Sequence, residues 1–411
     1  MTSSDGAAAA LDRNVRLIPV HQALTRALVW LPIMVLFTRA RFDLDGALLL
    51  SSLYYLFVVA LEVPSGWMSD RLGRTLTLRI AAASWVVAHL CFLIGDERFG
   101  MIVLGQFFLA GGFASLSGTD VTFHYDTLEA LGRADTYTRR ESIVSSIGFV
   151  ATAFGVLLGG VLGYVDLRLA FVAALVFAVA QFVVASMLSE PPVEQHADPF
   201  LRQIKVCVGY LSHRYLGWIF FYGIVLVTLE HVAFTLAQPW LTEVLGQTAD
   251  DIGATPLLAG VVYATTAFIG AASARAVAPI SERIGVVATL IGLAALSSLI
   301  VTGMAVSTSA FMIGLVAFRS AQGAAAPVLI SAAVAPHAAR QHRATLLSLN
   351  SLAGRLGYGL ILLAVAGAAN DDVLGVLRWF SVGSWTLVAV LIATAWWAIG
   401  RRPTTVMSSQ S

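Results

Sequence analysis

Long apolar runs separated by short polar segments make up most of this chain. Each run spans about 20 residues, the length at which a helix crosses the roughly 30 Å hydrocarbon core of a bilayer. Only helices and closed barrels satisfy their own backbone in lipid, and continuous apolar runs are typical of helices. The pattern predicts an all-α membrane protein with twelve transmembrane spans, at about 18–38, 47–67, 76–95, 100–124, 143–163, 168–188, 216–237, 256–278, 286–306, 309–334, 344–366 and 377–399.

The composition agrees with a protein that lives in a membrane. Hydrophobic residues make up 58% of the 411 residues and charged residues 12%, whereas soluble proteins carry about 25% charged residues. The mean hydropathy is +0.82. A net charge of +1 gives no reason to expect a nucleic-acid partner, and two cysteines cannot form a disulfide framework.

Positive charge indicates how the chain is oriented. With both termini in the cytoplasm, the outer segments keep only Arg39, Arg41, Arg98, Arg168 and Arg378. Most of the other Arg and Lys residues then lie in inner segments, as the positive-inside rule requires. We therefore expect a multi-pass protein of the cell (inner) membrane with both termini in the cytoplasm.

A polar connector divides the spans into two groups of six. We expect an N-terminal half at 1–188, a cytoplasmic linker at 189–215, a C-terminal half at 216–399 and a cytoplasmic tail at 400–411. In the linker, apolar residues at helical spacing predict an amphipathic helix, with Asp198 and Pro199 at its start.

The two halves repeat each other. A shift of about 212 residues places "SDRLG" at Ser69–Gly73 on "SERIG" at Ser281–Gly285. Both segments follow the second span of their half. Such a parallel repeat is the sequence signature of a transporter whose two pseudo-symmetric halves surround a central cavity.

The first copy carries the more complete motif. Gly66, Asp70, Arg71, Gly73 and Arg74 fit the pattern G-x-x-x-D-R-x-G-R, and the chain here resembles the major facilitator superfamily, in particular bacterial twelve-helix transporters of its efflux branch. The resemblance covers nearly the whole chain.

In that family the motif forms an inner gate. The resemblance implies that Asp70 faces the partly positive N-terminal end of the eleventh helix, near Arg343–Thr345, in the outward-open state. It also implies that an acidic residue on the fourth span holds Arg74. Asp126 is the first candidate and Asp120 the second. Gly73 permits the tight turn.

Small residues on two spans predict close helix contacts. Gly155, Gly159 and Gly163 recur every fourth residue on the fifth span, and Gly260 begins a small-residue stripe on the eighth. Such stripes let helix backbones approach closely. In the family these two spans meet between the halves, where rocking takes place; static packing in the lipid phase is the alternative.

Ionisable groups at membrane depth are costly and mark functional sites. By sequence depth, Arg26 lies level with Glu62, and Glu230 is near the midplane with Arg319. We expect Glu230 to pair with Arg319 or Arg355 when deprotonated and to carry a coupling proton, a role that His231 would share. A permanently ionised structural pair is the alternative. Arg319 and Gln322 lie in a segment that resembles the family's R-x-x-Q-G motif.

These features predict a secondary transporter that moves a small organic solute by alternating access. The favoured hypothesis is proton-driven efflux of an amphipathic compound. Proton-coupled import of an organic anion or nutrient, with Arg26, Arg319 and Arg355 binding the anion, remains open, as does a sensor without transport. The sequence has no metal-ligand spacing, nucleophile elbow or phosphate loop, so we expect no enzyme activity, cofactor, bound metal or use of ATP.

Overall fold

The computed structural model describes residues 3–192, 200–248 and 251–399. Within these ranges the chain forms α-helices and three short 3-10 segments, without a β-strand. The helices are α1 (Ser3–Arg26), α2 (Met34–Leu72), α3 (Arg74–Gly95), α4 (Phe99–Leu116), α5 (Thr119–Ala130), α6 (Tyr137–Val165), α7 (Leu167–Ser186), α8 (Phe200–Tyr210), α9 (Arg214–Val244), α10 (Thr255–Ile284), α11 (Val286–Val306), α12 (Ala310–Val316), α13 (Ser320–Val334), α14 (Arg340–Val365) and α15 (Val373–Ile399).

Eleven helical segments in the described ranges are long and apolar enough to cross a membrane. The first of them, Ala8–Leu72, is 65 residues long and contains both the first and the second predicted span. Within α2 the backbone is non-helical at Phe42 and Asp43, and Asp43 has a φ of 55°. This break divides the long segment into the first and second predicted spans, in agreement with twelve spans.

The first span is broken, although the sequence predicted one helix over 18–38. Helix α1 ends at Arg26, and helical structure resumes as a 3-10 turn at Leu31–Ile33. Pro32 cannot donate a backbone hydrogen bond and restricts the residue before it, so a regular helix does not continue through this segment. The carbonyl of Leu28 accepts from the Leu31 N–H instead, at 3.1 Å.

The fourth span of each half is also broken. In the first half Gly118, with a φ of 76°, separates α4 from α5, and the span extends to Ala130 rather than ending near residue 124. In the second half a 3-10 turn at Ala317–Arg319 separates α12 from α13.

Three hydrophobic clusters hold the bundle together. One consists of buried residues between Ile18 and Leu188, and a second of residues between Cys207 and Ala398. The third combines Leu44, Leu48, Tyr55 and Val156 of the first half with residues of α9, α10 and α14. Packing of α2 against α14, and of α6 against α10, therefore joins the two halves.

The linker helix α8 packs on the second half. Cys207 is fully buried, and the Tyr210 hydroxyl accepts from the backbone N–H of Ala339, at 3.2 Å. The predicted helix start at Asp198 and Pro199, and the predicted tail at 400–411, lie outside the described residues.

Asp70 and Asp43 lie at opposite ends of the bundle. The Asp70 end carries the turn between α2 and α3 together with the linker. The Asp43 end carries the turn within α2 and the connection between α14 and α15.

Candidate functional site

A cavity of about 510 Å³ lies between the two halves. Residues from α1, α2, α4, α5, α9 and α14 line it, together with the broken segment of the first span. Aromatic rings form much of its wall, namely those of Trp30, Tyr54, Tyr55, Phe113 and Phe234. The ionisable groups on the wall are Arg26, Asp120, His231 and Arg355, so the cavity is amphipathic.

Gln238 closes the cavity toward the Asp43 end. Its side-chain amide donates to the carbonyl of Leu31, at 2.9 Å, and its side-chain oxygen accepts from the backbone N–H groups of Val35 and Leu36. The bonds connect α9 to the broken first span. The break leaves those backbone groups available, which explains how one side chain from the other half can bind them.

Arg39 joins the halves beyond Gln238. The Arg39 side chain is 5% exposed; its Nε lies 2.9 Å from Oδ1 of Asp371, and one Nη lies 3.5 Å from Oε1 of Glu243. At the same end, Asp45 accepts from the backbone N–H of Ala369, at 2.9 Å. The first half thus holds the connections α9–α10 and α14–α15 of the second.

Glu62 and Arg355 form an ion pair across the halves, with 2.9 Å between Oε2 and Nη1. The other carboxylate oxygen of Glu62 lies 3.3 Å from the Ser117 hydroxyl, which donates to it. The depth estimate had matched Glu62 with Arg26. In the structure Arg26 is exposed at the end of α1, on the cavity wall, while its carbonyl accepts from Thr152.

The charged groups on α9 and on the tenth span do not form the expected pair in this conformation. Among the described residues, Glu230 has no ion pair; its carboxylate lies against Gly323, where an added methyl group would meet Oε1 at 2.0 Å. Arg319 is buried and stacks over the rings of Phe234 and Tyr263, and its Nε has no hydrogen-bond partner within the described ranges. Arg355 pairs with Glu62 instead.

His231 and Gln322 bind neighbours on their own half. His231 Nδ1 donates to the carbonyl of Val227, at 2.8 Å, and its ring packs edge-on against Tyr55 of the first half. The Gln322 amide donates to the Tyr222 hydroxyl, at 3.2 Å, whereas its side-chain oxygen is buried and has no partner among the residues that the structure describes.

The motif at the Asp70 end forms a compact turn. Gly73 has a φ of 106°, in the left-handed region that favours glycine, and it links α2 directly to α3. Arg74 forms a short ion pair with Asp126 on α5, not with Asp120. Asp120 instead accepts from the backbone N–H of Val121 and faces the cavity.

Asp70 contacts the motif itself rather than α14. Within the described part of the chain its pair is Arg74, at 3.8 Å, and its side chain is 56% exposed. Arg71 is exposed, and an added methyl group on Gly66 would meet nothing within 4 Å. The motif is therefore assembled, but it does not latch the halves in this conformation.

Glu190, which completes this turn, has no distinguishing pattern in the sequence. Its two carboxylate oxygens accept from the backbone N–H groups of Arg74 and Thr75, each at 2.8 Å. These donors begin α3 and have no partner inside the helix, so the carboxylate caps the helix and binds the start of the linker to it. Gln238 and Arg39 were missed as well, because a single polar residue near a span end has no distinguishing pattern.

The small residues lie at two different contacts. Methyl groups on Gly155 and Gly159 would collide with the backbone of Ala27 and Val29, in the broken first span, and one on Gly163 would meet Ile33. Gly260 lies at the contact between the halves. A methyl group added to it would lie 2.7 Å from the Val156 carbonyl oxygen and 3.1 Å from the Gly160 Cα.

Comparison with known proteins supports the same architecture. The sequence profile described as the Major Facilitator Superfamily matches residues 22–360. No curated protein sequence matches the chain. Among solved structures, the nucleoside transporter NupG superposes with a TM-score of 0.72 at 12% identity, covering 94% of this chain and 99% of that one.

Two further structures show the same fold. The POT family transporter PepTSo has a TM-score of 0.71 at 12% identity, covering 95% of this chain and 99% of its own. A bacterial homolog of the human lysosomal transporter Spinster, inward-facing and unoccupied, gives 0.67 at 14% identity, with 95% and 97% covered. The profile match spans well over half of the chain, and with the helical architecture it identifies this protein as a member of the major facilitator superfamily.

Proposed function

We propose that this protein is a proton-driven exporter of small amphipathic organic compounds that works by alternating access. The observation that carries the proposal is the amphipathic cavity between the halves, which Gln238 and Arg39 seal at one end only. Family membership supports a secondary transporter, and the direction, the solute and the coupling ion are our proposal.

The cavity suits a small organic molecule. Its volume of about 510 Å³ falls within the range of roughly 300–1,000 Å³ that is usual for small-ligand sites. Trp30, Tyr54, Phe113 and Phe234 offer flat apolar faces, and aromatic faces also attract organic cations. Asp120 supplies a negative group on the same wall.

Export is the direction that we propose, and the proposed orientation of the chain is consistent with it. The positive-inside rule places the Asp70 end and both termini in the cytoplasm. The contacts between halves described above lie at the Asp43 end or in the middle of the bundle, and Glu62–Arg355 lies closest of these to the Asp70 end. A cavity reached from the cytoplasm would load a compound for export.

Protons are the coupling ion that the titratable groups favour. Asp120 and His231 are on the cavity wall, and Glu62 is held by a wall residue, Arg355. Glu230 remains a further candidate because it lies beside Gly323 and has no ion-pair partner among the described residues. Each of these groups changes charge on taking up one proton, which would alter its contacts between the two conformations.

Proton-coupled import of an organic anion is the second candidate. Arg26 is exposed on the cavity wall and Arg355 is one-third exposed there, so two guanidinium groups are available to a carboxylate or phosphate. A solved POT family transporter of this fold is described in complex with 5-aminolevulinic acid, a small solute with a carboxylate.

Transport in proteoliposomes under an imposed pH gradient tests both candidates. The panel would include fluorescent lipophilic cations and labelled organic anions, with protein-free liposomes as the control. Proton-driven movement of a cation supports export; movement of an anion together with protons supports the second candidate. Absence of transport across a broad panel would contradict both and would favour a sensor without transport.

A further inference from the structure

A second, much smaller cavity lies inside the first half, between α1, α5 and α6. Its volume is about 20 Å³, and five polar side chains face it: His21, Gln22, Asp120, His124 and Glu141. A site needs roughly 10–15 Å³ and two to four polar partners to hold a water molecule. This cavity meets both conditions for one water.

His124 and Glu141 form the centre of the cluster. The distance from Nδ1 of His124 to Oε2 of Glu141 is 2.6 Å, and the two side chains are 3% and 24% exposed. Ser145 supports the carboxylate, with its hydroxyl 3.5 Å from Oε1. The pair is therefore geometrically fixed and largely removed from water.

An unpartnered nitrogen shows that the cluster is incomplete as it stands. His21 is 4% exposed, and its Nε2 has no hydrogen-bond partner in the part of the chain that the structure describes. A buried polar atom without a partner costs about 1–3 kcal/mol. A water in the adjoining cavity would bind Nε2 and join His21 to the pair.

Asp120 connects this cavity with the larger one. Both Asp120 and Val121 line the two cavities, so their side chains form the wall between them. The other titratable or charged groups near the cluster are Arg26 on α1, which acts on Asp120, and Tyr137 on α6, whose ring lies 5.6 Å from that of His124. Leu78 of α3 and Leu188, the last residue of the first half, add no charge.

We propose that the His124–Glu141 pair is the proton-binding site of this transporter, reached from the large cavity through Asp120 and one water. One proton is added to the pair when the cavity faces the proton-rich side and is released on the other, and nothing is oxidised or reduced. This inference rests on the proton coupling proposed above and names the residues that carry it, in place of Glu230.

The Glu141→Gln variant tests the assignment, because Gln accepts the same hydrogen bond from His124 but cannot take up the proton. With the solute found in the proteoliposome panel, we expect pH-driven transport to fall at least tenfold while solute exchange at equal pH persists. Glu129→Gln, on the exposed surface of α5, is the matched control and should transport like wild type. Glu230→Gln distinguishes the Glu141 and Glu230 carboxylates, because this variant should keep its pH-driven transport. Full pH-driven transport by Glu141→Gln would overturn the assignment.

A second measurement is independent of any solute. In the full-length protein labelled with ¹⁵N-histidine, the imidazole signal of His124 can be followed as a function of pH. Its signal should disappear in His124→Asn and shift in Glu141→Gln, but not in Glu129→Gln. If wild type shows no pH-driven transport, the proposed coupling fails, and this titration alone decides whether the pair binds a proton. An unchanged titration in Glu141→Gln would overturn the site.

Discussion

The carboxylate of Glu62 and the guanidinium of Arg355 meet across the two halves at 2.9 Å, on the boundary of the central cavity. The two side chains differ in burial: that of Glu62 is 13% exposed and that of Arg355 is 33% exposed. Removing either partner therefore leaves the other in a different environment.

This asymmetry predicts unequal costs for the two single substitutions. Arg355→Gln strands a largely buried carboxylate with only the Ser117 hydroxyl as a donor, so we expect about 2 kcal/mol of destabilisation. Glu62→Gln leaves an arginine that the cavity water can reach, and we expect about 1 kcal/mol or less. The heat-induced unfolding midpoints of the purified variants in detergent would rank them.

The double variant Glu62→Gln/Arg355→Gln completes the cycle. It should be more stable than Arg355→Gln alone, because no unpaired charge remains. Equal midpoints for the two single variants would contradict the predicted asymmetry, and simple additivity in the double variant would show that the pair carries little energy.

Arg39 is expected to control opening at the Asp43 end. Its bonds to Asp371 and Glu243 must break before that end opens, so Arg39→Gln should favour the alternative conformation. Both acceptors are partly exposed, so we expect about 1 kcal/mol, or about a fivefold change in the conformational ratio. Val121 lies on the cavity wall, so a cysteine at this position reports access to the cavity. In the Arg39→Gln background, an impermeant maleimide added from the Asp70 side should react more slowly with Val121→Cys. The two native cysteines are buried and contribute little labelling.

Arg41→Gln is the matched control for this experiment. Arg41 lies two residues further along and pairs at 3.8 Å with Asp96 of its own half. Its loss should leave the labelling rate of Val121→Cys unchanged. If labelling slowed equally in Arg39→Gln and Arg41→Gln, the cause would be the loss of positive charge at this end and not the loss of the contact between the halves.

Gly260 should tolerate no side chain at the contact between α6 and α10. The added methyl of Gly260→Ala would lie 2.7 Å from the Val156 carbonyl oxygen, so the helices must separate. Overpacking of this kind costs about 1–3 kcal/mol. We expect a lower unfolding midpoint and slower transport. In Gly292→Ala, on α11, the new methyl meets nothing within 4 Å, and both measurements should match wild type.

Asp126 is expected to contribute more to stability than Asp120, although both are acidic residues on α5. Asp126→Asn removes the closer and more buried partner of Arg74, whose side chain is 16% exposed, and should cost about 2–3 kcal/mol. Asp120→Asn breaks no ion pair and should leave the midpoint in place while changing transport. The reverse ranking would contradict the role of Asp126 in holding the motif.

The six-residue spacing of Asp120 and Asp126 already predicts that the two carboxylates point in different directions from the helix. Residues six apart on a helix of 3.6 residues per turn differ by about 240° in direction, so one of them faces α3 when the other faces the cavity. The sequence limits the candidates for the acidic partner of Arg74 to Asp120 and Asp126. The position of α3 relative to α5 selects Asp126.

The features that can be predicted from the sequence alone are local. The apolar run lengths, the position of the polar segments and the Gly73 turn follow from lipid thickness and backbone sterics, so spans, halves and motif were predictable. Sequence depth fixes one coordinate of a side chain, and matching Arg26 with Glu62 used that coordinate alone. The tertiary structure supplied the other two, through the rotation and crossing of helices: it set Glu62 against Arg355, left Glu230 beside Gly323, and gathered His21, His124 and Glu141 from three helices around one small cavity.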